Sequence, residues 1–312
     1  MQEYFYKREY KYMYLSIFSY NFANALSETF GTVMLYKAGL PLYIILLIYG
    51  IRFLIMGLIT PLFITISNKV GIAKCILISN IFNIIYAYFI LIHKNLVSNI
   101  IIFVLAMGLN GLSNPSSDSL SSKYVETKHR GRFNSLYSIS KILGTVLASC
   151  LVAWGVISNS TFILFIILSV FFILQYLLIQ RIDYKPERKS SVFKTSIKYL
   201  INIKSKYKII YALRTNHIIE RQFVPLYLYL ILKDFKVFSV VTIVSLLFQS
   251  VTIILIGKYT DKNIKKANNL VTIIKTSITL VYLFVKNKFI ISLNKTVSDN
   301  VSKVYDTSIQ TS

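Results

Sequence analysis

Acidic residues are scarce in this chain: 12 Asp and Glu stand against 35 Lys and Arg, which gives a formal net charge of +23. Charged residues of both signs make up only 15% of the sequence, whereas hydrophobic residues make up 55%. A soluble globular domain usually carries about 25% charged residues, so this composition excludes an ordinary soluble protein.

Cysteine and histidine are also rare. Cys75 and Cys150 lie within or at the ends of apolar segments, so the sequence predicts no disulfide framework. His93, His129 and His217 lie in three different segments, whereas a metalloenzyme needs clustered His or Cys ligands. The sequence contains no phosphate-binding loop, nucleophile elbow or HExxH motif. We therefore expect neither enzymatic activity nor a metal or other cofactor.

The apolar residues form long blocks of roughly 20 residues, enough for a helix rising about 1.5 Å per residue to cross a hydrocarbon core of about 30 Å. Backbone polar groups in lipid must pair within their own segment, so each block is predicted to be a helix. The sequence thus predicts an all-α multi-pass protein of about nine or ten spans in a lipid bilayer. The blocks are Tyr12–Tyr36, Leu42–Ile66, Cys75–His93, Asn99–Ser122, Phe133–Ile157, Ser160–Gln180, Ile209–Leu232, Val237–Gly257 and a lysine-interrupted ninth, Leu270–Leu293.

The basic residues are unevenly distributed between the predicted spans. Most lie in the amino-terminal segment and after spans 2, 4, 6 and 8, which is the positive-inside pattern. This pattern predicts a cytoplasmic amino terminus in a cell-membrane protein. A nucleic-acid-binding protein would gather its basic residues on one folded domain, and no such domain is present, so we expect no nucleic-acid partner. The intervening segments hold Lys37, Lys94, Lys233, Lys236, Lys286 and Lys288.

One long polar segment, residues 183–208, begins DYKPERKSS and divides the chain. We interpret it as a basic cytoplasmic linker between a six-helix half, residues 1–182, and a second set of helices, residues 209–312. The halves show internal similarity in sequence order. SNKVGIAK at 67–74 corresponds to TDKNIKK at 260–266, and SDSLSSKY at 117–124 corresponds to SDNVSKVY at 298–305.

Two helical halves, a basic central segment and a charged motif after spans 2 and 8 resemble the major facilitator superfamily. Its signature in that loop is Gly-x-x-x-Asp-Arg/Lys-x-Gly-Arg/Lys-Arg/Lys. In the first copy Asn68 replaces the Asp and Ile64 the first Gly, and in the second Ile264 replaces the second Gly. The run HRGRF at 129–133 is also similar to a loop of the family. The matching residues are Lys69, Gly71 and Lys74 in the first copy and Gly257, Asp261, Lys262, Lys265 and Lys266 in the second.

The resemblance implies a fold, a transport mechanism and a role for the motif. It implies a six-helix N-terminal half and a C-terminal half that is incomplete, because a full member has twelve spans. It implies alternating access, in which the halves rock about a central site. It also implies that Asp261 and Lys262 latch neighbouring helices when the cytoplasmic side is closed. The alternative from the residues alone is a basic loop that only sets orientation.

Charged residues inside the spans are costly unless they are paired or hydrated, so they mark candidate sites. Glu28 lies at a depth of roughly 12 Å and Arg52 at roughly 15 Å from the outer face, counting about 1.5 Å per residue, so the two could form an ion pair. By the same arithmetic, Asp118 lies at roughly 6 Å and Lys141 at roughly 12 Å from the inner face, and the two form a candidate inner-gate pair.

Span 7 carries a further cluster. Its spacing places Arg214, His217 and Arg221 on one helix face, with Glu220 close to it. We hypothesise that a central cavity binds a polar or charged solute, with a carboxylate as proton carrier. Structural ion pairs that fix helix packing are the alternative. The candidate cavity residues are Glu28, Arg52, His217, Glu220 and Arg221.

These observations predict a secondary active transporter of a small solute by alternating access, coupled to an ion such as the proton. The alternatives are a truncated relative that does not transport and, less favoured, a membrane-bound enzyme. The sequence indicates neither the solute nor the oligomeric state.

If Glu28 and Arg52 form a structural pair, exchanging their charges should restore what either single change removes. Glu28→Arg and Arg52→Glu should each lower the amount of protein in the membrane, and the double variant should recover it. The measurement is the membrane level of each variant, and no recovery in the double variant would count against this contact.

Overall fold

The computed structural model describes residues 8–92, 99–110, 130–182 and 222–260, and all regular structure in these ranges is helical. The interdomain segment 183–208, the residues Asp118, His217, Glu220 and Arg221, and the motif from Asp261 onward lie outside the described residues. The helices are α1 Arg8–Ala25, a π-helical turn Leu26–Phe30, α2 Gly31–Lys37, α3 Leu42–Val70, α4 Ile72–Leu91, α5 Ile100–Leu109, α6 Arg130–Ile157, α7 Thr161–Gln180, α8 Gln222–Leu232 and α9 Phe235–Thr260.

The helices have the length and composition of membrane spans. Four segments of the described chain are long and apolar enough to cross a bilayer: Leu42–Ile59, Ile72–Leu91, Ile139–Ile157 and Thr161–Gln180. The helices α5, α8 and the first half of α9 are shorter apolar segments. Large apolar side chains also point outward, with Leu54 68% exposed and Ile101 73% exposed. An apolar outer surface suits contact with lipid, and the predicted all-α membrane fold is confirmed.

The predicted polar loop between spans 2 and 3 is much shorter than the sequence suggested. Helix α3 continues through Asn68 and Lys69 to Val70, and α4 begins at Ile72, so the break is the single residue Gly71. Its backbone has φ 94° and ψ 150°, a conformation that residues with a Cβ rarely adopt. Charged side chains do not end these helices; the glycine does.

Helix α9 shows the same behaviour at the second motif. It extends to Thr260, so Gly257 lies within a helix and not at the start of a loop. In the first motif, Lys and Asn are compatible with a final helical turn, and the residues of the second motif from Asp261 onward lie outside the described range.

Close approach between helices accounts for the glycines of spans 4 and 5. A Cβ on Gly144 of α6 would lie 2.6 Å from the carbonyl oxygen of Phe18 and 3.1 Å from the nitrogen of Phe22 on α1. On Gly108 of α5 it would overlap the side chain of Ile55 on α3. Small residues let helix backbones approach closely in membranes, so these glycines serve helix packing.

Hydrogen bonds between helices add to this packing in the first half. Ser79 of α4 donates from Oγ to the backbone oxygen of Asn110, at 2.6 Å. Asn80 of α4 donates from Nδ2 to the backbone oxygen of Phe172 on α7, at 2.8 Å. Helix α4 is therefore fixed on two sides, and the residues it carries further along, including Tyr86, are held in place.

The contact at Gly144 predicts opposite effects of the same substitution at two glycines. Gly144→Ala should destabilise the protein by about 1–3 kcal/mol, because the added methyl group meets backbone atoms of α1. Gly50→Ala is the matched control: it lies within α3 with nothing within 4 Å of an added Cβ, and should be neutral or stabilising by up to about 1 kcal/mol. Thermal unfolding in detergent measures both, and equal stability of the two variants would contradict the packing role.

Candidate functional site

Arg52 is a buried cation on the inward face of α3. Its side chain is only 7% exposed, and its guanidinium carbon lies 5.5 Å from the ring centre of Tyr49 and 5.9 Å from that of Phe53. These distances are within the range of cation–π attraction. The nitrogens Nε and Nη1 are buried and donate no hydrogen bond to any residue that the structure describes. Aromatic faces thus compensate the charge only in part, and two donors have no partner among the described residues.

Two tyrosine hydroxyl groups lie in this region, that of Tyr49 near Arg52 and that of Tyr86 near Tyr49. The buried Tyr49 hydroxyl interacts with the side chains of Arg52 and Tyr86. The Tyr86 ring is held by stacking on Phe103, with ring centres 5.3 Å apart. A Cβ on Gly31 would lie 2.6 Å from the Tyr86 oxygen and 2.9 Å from the Tyr49 oxygen. The missing side chain at position 31 therefore makes room for both hydroxyls against the backbone of α2.

The backbone immediately before Gly31 is irregular. Residues Leu26–Phe30 form a π-helical turn between α1 and α2, and Glu28 lies at its centre. Such turns are rare in helices and occur frequently at functional sites. The Glu28 side chain lies outside the described part of the chain. Its backbone position places it less than one helical turn from Gly31, beside which the two tyrosine hydroxyls lie.

The second half of the protein contributes to the same region through α8. The ring of Phe223 lies 5.5 Å from the ring of Tyr49, and the Thr32 hydroxyl donates a hydrogen bond of 2.9 Å to the backbone oxygen of Gln222. Helix α8 therefore begins beside the Arg52 site. The predicted residues His217, Glu220 and Arg221 precede it directly in sequence and lie outside the described residues.

An aromatic cluster joins the two halves at the end of the bundle that carries Lys37; we call it the aromatic seal. Phe30 lies 5.9 Å from Phe235 and 5.8 Å from Phe238, and Tyr229 lies 5.9 Å from Phe238, measured between ring centres. Phe30 and Phe238 have no exposed surface. The seal packs the two sets of helices together at the Lys37 end.

Lys37 itself lies at the end of α2, just beyond the predicted span. Its Nζ atom is 4.4 Å from the ring centre of Phe235, so it extends the contact between the halves to the helix end. Partial burial lowers the pKa of this ammonium group, because a charge is less well solvated there.

The remaining predicted residues are spread through the fold. Lys141 lies half-buried within α6, well away from the seal in sequence, and Asp118, its proposed partner, is outside the described ranges. Lys69 and Lys74 are exposed on either side of Gly71. Within the described ranges no group of three or more His, Cys, Asp or Glu is placed to hold a metal ion.

Sequence reasoning missed the residues around Arg52. The predicted apolar spans contain all four of these residues, and the apolar pattern alone does not single them out. They are Gly31, Tyr49, Tyr86 and Phe223. A partial signal was present, since Tyr49 lies one helical turn before Arg52 and shares its face. The contribution of Tyr86 and Phe223 depends on how α4 and α8 pack, which no local pattern encodes.

Comparison with known proteins agrees with this architecture. The family model described as Major Facilitator Superfamily matches residues 12–293. No curated protein matches the chain. Among solved structures, the chain is similar to a bacterial homologue of the iron transporter ferroportin in an outward-facing state, with a TM-score of 0.63 and 11% sequence identity. The alignment covers 97% of this chain and 83% of that one, and at this identity it shows the fold alone.

The aromatic seal predicts that removing one ring exposes the region behind it. In a Cys75→Ser, Cys150→Ser background, a cysteine at Gln222 reports access, because Gln222 is buried deeper along α8 than Tyr229. Phe238→Ala should raise its rate of labelling by a membrane-impermeant maleimide by about tenfold or more, since buried Phe contacts are lost. Leu54→Ala, on the lipid-facing side, is the control and should leave the rate unchanged. An unchanged rate in Phe238→Ala would show that these rings do not limit access.

Proposed function

Because the chain belongs to the Major Facilitator Superfamily, a family of membrane transporters, we propose that it is a secondary active transporter that moves a small anionic solute by alternating access. The observation that carries the proposal is the buried Arg52 guanidinium, with two nitrogens unpaired among the described residues, at the junction of the halves. The Arg52 site is the central solute site in this proposal.

Electrostatics favours an anion at this position. A positive charge among membrane helices is costly unless something compensates it, and the rings of Tyr49 and Phe53 do so only in part. A carboxylate or phosphate group of a solute would accept hydrogen bonds from Nε and Nη1. Such charge-assisted bonds are strong, and Arg is well suited to them. The Tyr49 hydroxyl offers a further polar contact to the same group.

Coupling to protons is proposed through the carboxylates of the region. Glu28 lies in the π-helical turn next to Gly31, and Glu220 lies two residues before α8 begins. Either carboxylate could carry a proton when the site faces one side and release it on the other. Co-transport of a proton with a monovalent anion moves no net charge, which removes the opposing effect of a negative membrane potential.

Alternating access requires the aromatic seal to part in one state and re-form in the other. The ring contacts that define it can separate without breaking a hydrogen bond or an ion pair. We propose that the seal is the outer gate, because the positive-inside distribution assigns the Lys37 end to the outside of the cell membrane. The motifs around Gly71 and Asp261 then belong to the inner gate, together with Asp118 and Lys141.

Iron is the main competing solute, because the structurally similar protein is a homologue of the iron transporter ferroportin. A ferrous ion carries two positive charges, and the Arg52 guanidinium would repel it at the central position. The charge of the described residues therefore favours an anionic solute at this site. A metal ion would have to bind at another site.

Uptake into proteoliposomes with an inward proton gradient tests the proposal. The probes are radiolabelled benzoate, succinate and phosphate as anions, and tetraethylammonium and ferrous iron as cations. We expect gradient-dependent uptake of at least one anion, a loss of roughly tenfold or more in Arg52→Gln, and loss of coupling in Glu28→Gln and Glu220→Gln at normal protein levels. Lys233→Gln, an exposed residue at the Lys37 end, is the control and should behave as the wild type.

The other outcomes separate the parts of the proposal. Uptake of a cation instead would overturn the solute class. Normal coupled uptake in both glutamate variants would rule out these carboxylates as the proton carriers. Absence of uptake of every probe would favour the non-transporting alternative.

A further inference from the structure

A second feature of the fold lies far from Arg52, at the other end of the helices; we call it the basic corner. A cavity of about 500 Å³ is lined by the junction of α3 and α4 and by the end of α7. Arg181 is part of its wall, and Lys69 and Lys74 lie within two residues of the wall on either side. The lining residues are Gly71, Ile72, Ala73, Ile179, Gln180, Arg181 and Ile182.

Apolar packing fixes the corner in place. The start of α1, the start of α4 and the end of α7 meet in one buried cluster that contains Tyr10, Ile72, Ile76, Ile179 and Ile182. This cluster brings Lys11, the exposed neighbour of Tyr10, to the same end of the bundle as the cavity. This apolar packing fixes the positions of the helix ends, and therefore of the basic residues on them, none of which belongs to the cluster.

Within the described segments that form the corner, positive charge is poorly compensated. These segments contain four exposed basic side chains and a single carboxylate, that of Glu9. The basic residues are Lys11, Lys69, Lys74 and Arg181. At the position where the family signature carries its Asp, this copy has Asn68. Because asparagine is uncharged, the motif supplies no carboxylate counter-ion at this position.

The chemistry and shape of the cavity favour a phosphate group with an apolar attachment. Arg181 and Lys74 supply positive charge, while Ile72, Ile179 and Ile182 supply apolar wall. The first backbone N–H groups of α4 have no side-chain cap and carry the positive end of the helix dipole. The corner lies at the ends of membrane helices, which is the depth of lipid headgroups.

We propose that the basic corner binds the phosphate headgroup of an anionic phospholipid. The lipid phosphate takes the place of the lost motif carboxylate as the counter-ion of this end of the helices, and the apolar wall contacts the lipid beyond the headgroup. Basic residues near a membrane surface each strengthen binding to anionic lipid by about fivefold. The proposal stands independently of the solute and of transport.

Native mass spectrometry of the purified full-length chain tests it, by titrating phosphatidylglycerol against phosphatidylcholine. Wild-type protein should bind phosphatidylglycerol more tightly. The variant Lys74→Gln with Arg181→Gln should lose roughly 25-fold in affinity for phosphatidylglycerol, the product of two charges. The matched control, Lys233→Gln with Lys236→Gln, removes two exposed lysines at the opposite end and should leave the affinity unchanged.

A second variant distinguishes the cavity from charge alone. Ala73→Phe keeps every basic residue but fills the space that Ala73 lines, so it should also lose phosphatidylglycerol binding. If the variant Lys74→Gln with Arg181→Gln fails to fold, Ala73→Phe still tests the proposal.

Three results would overturn the proposal. The first is equal binding of the two lipids by the wild type, and the second is an equal loss in the control variant. The third is displacement of phosphatidylglycerol by inorganic phosphate at matched phosphate concentration, which would identify free phosphate as the ligand.

Discussion

The positive charge of Arg52, buried between helices of a membrane protein, is the constraint around which the centre of the molecule is arranged. Two rings of its own helix, Tyr49 and Phe53, lie near the guanidinium, and Tyr86 of α4 lies beside Tyr49. Gly31 has no side chain, which leaves the space that both hydroxyls occupy. Each feature lowers the cost of the charge, yet two nitrogens stay unpaired among the described residues. In the proposed function, the transported anion is the partner of these two nitrogens.

The two ends of the bundle differ in the chemistry of their contacts. At the Lys37 end, the halves meet through aromatic rings, with Phe30 packed against Phe235 and Phe238, and through the contact of Lys37 with the Phe235 ring. Rings that separate are solvated at a moderate cost proportional to their area. The opposite end carries exposed cations around Gly71 and in Arg181, so charge and its counter-ions set the cost of rearrangement there.

The sequence was sufficient for the spans because a hydrocarbon core selects for apolar length. The predicted start of span 2 at Leu42 and the ends of spans 5 and 6 at Ile157 and Gln180 agree with the helices observed. Junctions were predicted less well: polar residues near Gly71 suggested a loop, although Lys and Asn also complete a helix. The membership of Arg52 in a site could be predicted from its cost in lipid. The π-helical turn at Glu28 could not, since it depends on packing between helices distant in sequence.

In the first motif, Asn68 stands where the family signature carries Asp. In the second copy the carboxylate, Asp261, is retained, so the two halves no longer carry equivalent motifs. An asparagine can still complete the final turn of α3, which explains why the helix continues to Val70. What it cannot do is neutralise Lys69, Lys74 or Arg181. A membrane protein has an alternative source of negative charge at that depth, the lipid headgroup, and the cavity beside Gly71 has room for one. Loss of an internal counter-ion in one half is therefore compatible with a stable fold, because the surrounding bilayer can supply the missing charge.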